Sequence, residues 1–212
     1  MAYRTIEDRL REEYFALLPE VRRVVEQVEV EVRFSLLHLT TKLHKYERLD
    51  VKARVKDCES ALGKLRRKQQ FHIFDTEPQE PYTLKVLNDL AAVRVYAFPQ
   101  SRWVDANEVL RSTATFSEWT PDPRMDGADL LAFKYHGYCD ASAKIQGELQ
   151  IVPMLIGLFE DVEHAAVYKP SPELMSIGGG PFMQKERGQV LEALKTYDAA
   201  FEKILRGDPL KE

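Results

Sequence analysis

The sequence predicts an α+β fold in which helices flank a small mixed β-sheet. Three observations support this prediction. Apolar residues recur at helical spacing in the first 50 residues, two segments near 91–98 and 145–151 alternate between apolar and polar residues, and a second helical pattern follows the last strand. Because helices precede the strands and another helix returns across them, the order of elements favours α+β over a repeating βαβ arrangement.

The first alternating strand lies in the stretch NDLAAVRVYAF. Side chains of a strand point to opposite faces in turn. Val93, Val95 and Ala97 therefore share one face, and Arg94 and Tyr96 share the other. The stretch LLAFKYHG predicts a further strand, and a loop rich in Pro, Asp and Gly precedes it.

The second alternating strand, in the stretch GELQIVPM, has one polar face. Gln146, Glu148 and Gln150 share that face, whereas the other face is apolar and consists of Ile145, Leu149 and Ile151. Two interpretations stay open from this pattern alone. The polar face either lies in water, as in many one-sided strands, or serves a functional site.

Helical spacing predicts several helices along the chain. They cover residues 20–47, with Pro19 in the first turn and a shorter helix before it, and then residues 57–69, 102–112, 155–168 and 181–206. In the helix over 155–168, the predicted apolar face consists of Leu155, Leu158, Phe159 and Val162. In the last helix, packing on the domain or on a partner helix is predicted for Val190, Leu194, Tyr197, Phe201 and Ile204.

The helix over 57–69 has a basic face next to its apolar one. The residues on this face follow one another at helical spacing, with Arg54 just upstream, and are Lys56, Ser60, Lys64 and Arg67. A solvated basic face is one interpretation, and a phosphate-binding face is the other.

Composition limits the classes of function. The chain has 212 residues, of which 44% are hydrophobic and 30% charged, and this balance is typical of a globular domain that buries a substantial core. No apolar run reaches the roughly 20 residues that span a bilayer, so we expect a cytoplasmic protein without a membrane partner. Two cysteines are too few for a disulfide framework, and the net charge of −4 argues against a broad nucleic-acid surface.

Two carboxylates stand on neighbouring predicted strands. Asp89 precedes the first alternating strand, and Glu148 lies in the second. Mg²⁺ prefers oxygen ligands and takes several of them from water and substrate phosphates, so one or two protein carboxylates suffice. Together with the basic helix face, Asp89 and Glu148 predict a magnesium and phosphate site.

Four stretches carry these polar residues, in the order ARVKDCESALGKL, NDLAAVRV, KYHGYCDAS and GELQIVPMLIGLFEDVEHAAVYK. They resemble, in the same order, four motifs of the RelA/SpoT-family synthetase domain, whose members make the alarmone (p)ppGpp. The motifs are R-x-K-x-x-x-S-x-x-x-K, D-[LI]-x-G-x-R, K-x-N-G-Y-x-S-x-H, and E-[IVL]-Q-I-R-T followed by W-A-x-[IV]-E-H and Y-K. Four ordered motifs make the resemblance specific.

The resemblance implies a nucleotidyltransferase-like fold with helical N- and C-terminal extensions. We expect an N-terminal helical extension over 1–49, a synthetase core over 50–170, and a linker with a C-terminal helix over 171–212. The chain is similar to single-domain small alarmone synthetases, and it lacks the His-Asp dipeptide of the family's hydrolase domain.

The resemblance also implies a reaction and a role for each matching residue. ATP would donate its β,γ-pyrophosphate to the 3′-hydroxyl of GDP or GTP, and AMP would leave. Asp89 and Glu148 would be catalytic and would hold Mg²⁺, with Glu148 orienting or deprotonating the hydroxyl. The residues implied for ATP are Arg54, Lys56, Ser60, Lys64, Arg67 and Arg94. The residues implied for the acceptor are Lys134, Tyr138, Gln150 and His164.

Departures from the motifs fall mainly on the acceptor side. Ala92 replaces a glycine of the second motif, whereas at the acceptor motifs Asn, Ser, His and Arg are replaced by His136, Asp140, Ser142 and Val152. Related domains transfer pyrophosphate to adenine nucleotides or to the 3′ end of tRNA, so these acceptors stay open. The candidates for a tRNA surface are Arg22, Arg23 and the run KLRRK. A solvated helix face is the favoured interpretation of these residues, because the acidic net charge supports it.

Further alternatives concern regulation and partners. The chain could be a non-catalytic nucleotide sensor that acts through its terminal helices. If it is an unregulated synthetase, a toxin-like role with a separate antitoxin follows. We also expect self-association through the terminal helices.

Overall fold

A mixed β-sheet forms the central layer of the protein, and helices cover both of its faces. The computed structural model describes residues 5–69, 80–163 and 181–207, with side chains from residue 185 onward in the last range. The strands are β1 (Arg48–Val55), β2 (Ala91–Phe98), β3 (Thr120–Pro121), β4 (Arg124–Asp126), β5 (Asp129–Gly137) and β6 (Gly147–Pro153). Their order is β1-β2-β6-β5-β3, with β4 paired to β5.

The sheet is mixed because only its central pair is parallel. Strands β2 and β6 run parallel, whereas β1 is antiparallel to β2, and β5 is antiparallel to both β6 and β3. The chain between β2 and β6 contains the helical connection and the β3–β5 hairpins, as a parallel pair requires a long crossover. The predicted small mixed sheet flanked by helices is confirmed.

The helices have the following bounds. They are α1 (Ile6–Ser35), α2 (Leu37–Thr40), α3 (Cys58–Gln69), α4 (Ser101–Arg111), α5 (Ala114–Ser117), α6 (Met154–Glu163) and α7 (Pro181–Arg206), with a 3₁₀ turn at Leu84–Val86. The predicted helices over 57–69, 102–112 and 181–206 are confirmed to within one residue at each end.

One hydrophobic core joins α1 and α4 to the sheet. The buried stripe of α1 is continuous over seven turns and comprises Ile6, Leu10, Tyr14, Leu17, Val21, Val24, Val25, Val28 and Val32. This stripe packs against β1, β2 and β6, and α4 packs against β2 and β6 beside it. Strand residues Val93, Val95 and Ala97 face this core, as predicted. The division at residue 49 stays a prediction.

Helix α1 corrects the prediction of two helices separated at Pro19. A capping box opens the helix, since the Thr5 hydroxyl accepts the Asp8 amide at 3.1 Å and the Asp8 carboxylate accepts the Thr5 amide at 3.2 Å. Pro19 lies inside the helix. A proline costs one backbone hydrogen bond there. The stripe buried on both sides of it outweighs that cost, so the helix continues to Ser35.

Strand β1 corrects the prediction that a helix extends to residue 47. Helix α1 ends at Ser35, and after the short helix α2 the chain enters β1 at Arg48. The stretch RLDVKARV alternates with a period of two, which is a strand signal, and its apolar residues do not continue the helical spacing of Leu36, Leu39 and Leu43. All eight residues of this stretch pair with β2, and this pairing stabilises the stretch as a strand.

Helix α6 packs by a different face from the predicted one. Leu158 and Val162 are exposed, whereas Ile156, Gly157 and Glu160 are buried. The reason is a close approach to the sheet at Gly157, where an added Cβ would lie 2.6 Å from Val152 Cγ2 and 2.9 Å from Tyr96 Cε1. The predicted helix over 164–168 lies outside the described residues.

Helix α7 docks on the domain by one face only. The Asp198 carboxylate accepts the Gln100 amide at 2.7 Å, and the Phe201 and Phe98 ring centroids are 4.9 Å apart. On the other face of the helix, three residues of the predicted packing stripe are exposed, namely Val190, Tyr197 and Ile204. Packing on the domain therefore accounts for only part of this stripe.

Within residues 5–69, 80–163 and 181–207, none of the helices combines the length and the hydropathy that crossing a membrane requires.

Candidate active site

The polar face of the sheet, opposite the α1 core, brings the candidate residues together. Directly paired residues of adjacent strands share a face. One row across β1, β2, β6 and β5 consists of Arg54, Ala92, Glu148 and His136. The next row consists of Lys52, Arg94, Gln150 and Lys134. Glu148 therefore stands in the middle of the sheet, between the predicted donor and acceptor sides.

Asp89 meets the basic face of α3 at the end of the sheet where strands β2 and β6 begin. It lies two residues before β2, next to the start of the parallel strand β6, which carries Glu148. Lys64 Nζ is 2.7 Å and Lys56 Nζ is 3.0 Å from Asp89 Oδ2. Burial alone would raise the pKa of Asp89, but the hydrogen bonds and charges of Lys64 and Lys56 outweigh burial and lower it. The basic face of α3 thus points at a carboxylate.

The Asp89 carboxylate keeps one oxygen without a partner. Asp89 is 6% exposed, and its Oδ1 is buried with no hydrogen-bond partner among the described residues. A buried carboxylate oxygen of this kind is costly unless it binds a donor or a cation. Oxygen donors suit Mg²⁺, so Asp89 and Glu148 fit the predicted metal. Where side chains are described, no group of three or more His, Cys, Asp and Glu residues gathers as a metal site.

Glu148 is buried and held from two sides. Its Oε1 accepts a hydrogen bond from Gln150 Nε2 at 2.7 Å, and its Oε2 lies 3.9 Å from His136 Nδ1. His136 Nε2 in turn lies 3.0 Å from Asp122 Oδ2. Glu148 is 4% exposed, so its side chain does not lie in water, whereas a functional site on this face of β6 stays a prediction.

Arg94 is fixed by two partners on the polar face. Its Nε donates to Gln150 Oε1 at 2.8 Å, and its Nη1 donates to Asp161 Oδ1 at 2.6 Å. The Tyr96 hydroxyl donates to the other oxygen of Asp161. Gln150, for which the resemblance implies acceptor binding, thus links Arg94 on the donor side to Glu148.

A cavity of about 180 Å³ lies over this part of the sheet. It is lined by Lys52, Ala53, Arg54, Ala92, Val93, Arg94, Tyr96, Glu148, Gln150 and Asp161. Arg54 and Arg94 are diagonal neighbours on the antiparallel pair β1–β2. Diagonal neighbours are about 7–8 Å apart, which is the spacing that lets two flat groups hold an aromatic ring between them. That Arg54 and Arg94 hold a base in this cavity stays a prediction.

The remaining residues implied for ATP lie on or near α3. The Ser60 amide donates to Asp57 Oδ1 at 2.9 Å in the first turn, and its hydroxyl is buried with no partner among the described residues. Arg67 is exposed near the end of α3. The structure therefore brings Lys56 and Lys64, but not Arg67, to Asp89.

The residues of the acceptor motif, including two that depart from the family pattern, make the following contacts. Lys134 Nζ is 2.6 Å from Asp122 Oδ2, and Tyr138 is 54% exposed. Asp140 accepts the Ser142 hydroxyl at 2.6 Å and pairs with Arg23 Nη1 at 3.1 Å. Asp140 therefore links the loop between β5 and β6 to Arg23 of α1, and Ser142 donates a hydrogen bond to the Asp140 carboxylate.

Three observations limit the remaining predictions. Arg23 also pairs with Glu20 at 2.9 Å, so carboxylates on both sides neutralise this candidate for tRNA binding. Val152 is buried against α6 together with Tyr96 and Ala132. His164 lies outside the described residues.

Sequence reasoning missed several residues of the site. Asp161 and Asp122 lie in a helix and a loop with no acidic motif, although both make ion pairs with predicted site residues. Tyr96 was predicted on the correct face of β2 but without a role. The signal available for Asp161 was its place on the polar side of α6, four residues after Gly157.

The fold is that of the small alarmone synthetases, a class of nucleotide-modifying enzymes. The chain matches no protein-family model, and no curated protein sequence matches it. Solved structures do match. The small alarmone synthetase 1 from Bacillus subtilis aligns with a TM-score of 0.66 and 21% identity, over 92% of this chain and 97% of that one.

Two further structures of that Bacillus protein have ligands. The one bound to AMPCPP aligns with a TM-score of 0.64 and 21% identity over 92% of this chain and 97% of that one. The one bound to its product pppGpp aligns with a TM-score of 0.63 and 19% identity over 90% and 94%. A GTP pyrophosphokinase family protein from Streptococcus pneumoniae aligns with a TM-score of 0.63 and 15% identity over 91% and 92%.

Proposed function

We propose that the protein transfers the β,γ-pyrophosphate of ATP to the 3′-hydroxyl of GDP or GTP, making (p)ppGpp and AMP. One observation carries the proposal. Asp89, which pairs with Lys56 and Lys64, and Glu148 lie at the end where the parallel strands β2 and β6 begin, and a cavity lined by Arg54 and Arg94 lies beside them. The structural neighbours add support, because one of them binds AMPCPP and makes pppGpp.

The donor would bind by its base and by its phosphates. Arg54 and Arg94 would hold adenine between their planar guanidinium groups, a role for which lysine is less suited. Lys56, Ser60 and Lys64 would receive the phosphates, with Arg67 at the far end of α3. Since both lysines already lie on Asp89, an incoming triphosphate would meet concentrated positive charge next to a carboxylate pair.

Asp89 and Glu148 would hold Mg²⁺. When bound, the metal would neutralise charge on the transferred phosphate oxygens. Glu148 would orient the 3′-hydroxyl of the acceptor and take its proton as the oxygen attacks the β-phosphorus and the bond to the α-phosphate breaks. Such transfer depends mainly on in-line positioning and on charge neutralisation, and these residues supply both.

The acceptor would bind on the β5 side. Lys134, Tyr138 and Gln150 are the candidates among the described residues, with His164 as a prediction beyond them. Lys134 faces the same side of the sheet as Glu148, and the exposed Tyr138 ring is available to stack on a base.

Because several residues of the acceptor motif are replaced in this chain, we also propose two alternative acceptors. An adenine nucleotide or the 3′ end of tRNA would use the same donor site and the same carboxylates, and the Asp140–Arg23 pair favours the smaller acceptor. A toxin-like role with an antitoxin partner would follow from unregulated synthesis. Self-association would use the exposed stripe of α7.

The test offers purified protein Mg²⁺ and ATP labelled in the β or γ phosphate. Separate reactions contain GMP, GDP, GTP, ADP or deacylated tRNA, and both label transfer and AMP release are measured. We expect transfer to a guanine nucleotide, and we expect Asp89→Asn and Glu148→Gln to lower the rate by at least about a hundredfold.

Asp105→Asn is the matched control, because Asp105 is also paired with an arginine but lies on α4, on the opposite face of the sheet. It should leave the rate unchanged. Transfer only to tRNA or to an adenine nucleotide would support the proposed chemistry but show that the acceptor is not a guanine nucleotide. Nucleotide binding without any AMP release would contradict the proposed enzymatic activity and favour the alternative of a non-catalytic nucleotide sensor.

A further inference from the structure

Asp161 stands at the candidate donor-base cavity although no motif assigned it a role. It lies in α6, lines the cavity, and is 41% exposed in its side chain. Its Oδ1 pairs with Arg94 Nη1 at 2.6 Å, and its Oδ2 accepts the hydroxyl of Tyr96. An acid in this place can act on Arg94 and on whatever enters the cavity.

Its first effect is on the orientation of Arg94. A guanidinium group donates its hydrogen bonds in its own plane. Arg94 donates one such bond from Nε to Gln150 and another from Nη1 to Asp161, and the two bonds point in different directions. Together they fix the plane of the Arg94 guanidinium group. The guanidinium carbon of Arg94 also lies 5.9 Å from the centroid of the Tyr96 ring. The group is therefore oriented before a base arrives.

Its second effect concerns the edge of the bound base. Burial and the hydrogen bond to Asp161 raise the pKa of Tyr96 to about 12, so the Tyr96 hydroxyl keeps its proton and donates it to Asp161. Arg94 also donates. A carboxylate has about four acceptor positions, so Asp161 can accept one more hydrogen bond from the cavity.

We propose that Asp161 is a specificity-determining residue of the donor site, which holds Arg94 flat and accepts a hydrogen bond from the exocyclic amino group of a 6-aminopurine. This inference rests on the proposed function insofar as the cavity takes the donor base. A 6-oxopurine presents a carbonyl oxygen at the same position, and two acceptors facing each other are unfavourable. Asp161 therefore selects adenine over hypoxanthine.

The experiment measures equilibrium binding of ATP and of ITP to the full chain, without any acceptor, by isothermal titration calorimetry. The two nucleotides differ at position 6 of the purine, where ATP has an amino group and ITP an oxygen. We expect the wild-type protein to bind ATP at least about tenfold more tightly than ITP, because a hydrogen bond to a charged group contributes that much.

Asp161→Asn should bring the two affinities within about twofold of each other, because its amide can both donate and accept. Asp105→Asn, a helical aspartate of similar exposure that is also paired with an arginine, should keep the tenfold preference. Circular dichroism verifies that each variant folds. If Asp161→Asn does not fold, Asp161→Ser replaces it, with the same expected loss of preference.

A wild-type protein that binds ATP and ITP equally, or one that binds neither nucleotide, overturns the inference. So does an Asp161→Asn variant that keeps the preference. If the wild type prefers ATP and Asp161→Asn abolishes that preference, but no acceptor leads to AMP release, the inference holds and the proposed transfer reaction fails. Binding selectivity and turnover thus separate the two claims.

Discussion

At Asp89, two lysines share a single carboxylate oxygen, and this geometry links the ionisation of the residue to the stability of the fold. The pKa of Asp89 lies below its ordinary value of 3.8 because the lysines outweigh burial. A carboxyl group whose pKa is lowered by folding stabilises the protein at pH values above its unfolded pKa. That contribution disappears as the pH falls through the lower, folded value.

Asp89→Asn should accordingly destabilise the protein in a pH-dependent way. At pH 7 we expect a loss of about 1–3 kcal/mol in the free energy of unfolding, because the charged hydrogen bonds to Lys56 and Lys64 are removed. Urea unfolding of both proteins between pH 7 and pH 3 tests this. The difference should stay constant above about pH 5 and shrink below it. A difference that is independent of pH, or that grows on acidification, contradicts the assignment.

Individual site residues differed in how far the sequence could reveal them. Glu148 and Gln150 were predicted on one face of their strand, and Arg94 and Tyr96 on one face of another, because a period of two fixes the faces within a strand. That both pairs lie on the same face of the sheet depends on the register of β2 with β6. Asp161 was not assigned a role, because its partners Arg94 and Tyr96 are more than 60 residues away and only the packing of α6 joins them. Long-range ion pairs leave no periodic signal.

Among the elements, α6 depends on a glycine to reach the sheet. Gly157 faces Val152 and Tyr96, and the next turn of the same helix carries Asp161. A larger residue at position 157 would hold the helix away from the strands. The ion pair between Asp161 and Arg94 would then lengthen, so the shape of the cavity that both residues line depends on this contact.

Gly157→Ala should therefore destabilise the protein, although alanine is the better helix former. The added methyl group would lie under 3 Å from two side chains, and crowding of this kind costs about 1–3 kcal/mol. Gly188→Ala in α7 is the matched control, because no atom of the described residues is found within 4 Å of its added Cβ. It should be neutral or stabilising by up to about 1 kcal/mol. Thermal unfolding compares the two, and equal shifts would contradict the close contact.

Element types followed from periodicity more reliably than did element faces and ends. Helices α3, α4 and α7 were predicted because their apolar spacing is local. Strand β1 was missed although its apolar residues alternate with a period of two, and its pairing with β2 extends over all eight of its residues. The buried face of α6 was predicted wrongly, because the most apolar side of the helix is not the side that fits the sheet.

For the whole molecule, we propose that the outer face of α7 mediates self-association. Val190, Tyr197 and Ile204 follow one another at intervals of seven residues and form an exposed stripe along the helix. A spacing of seven is the repeat by which helices pair in coiled coils. The stripe is the surface through which we expect two copies of the chain to associate.

Replacing Val190 and Tyr197 together by glutamate should dissociate such an assembly, because charge would be buried without a partner. Size-exclusion chromatography with light scattering measures the mass of each protein. We expect an oligomer for the wild type and the 24.5 kDa monomer for the double variant. Glu192→Gln and Glu186→Gln, introduced together on the same helix, form the control that should keep the oligomer. A wild-type monomer at all concentrations rules out the association.

The parallel pairing of β2 with β6 has a further consequence for how heat would abolish the proposed activity. These two strands occupy the interior of the sheet, and both candidate metal ligands, together with Arg94, lie on them or at their ends. Interior strands open only when the whole domain unfolds, so their backbone amides should be among the slowest to exchange with deuterium. Heat inactivation and global melting should therefore coincide in temperature, without an inactive intermediate that is still folded.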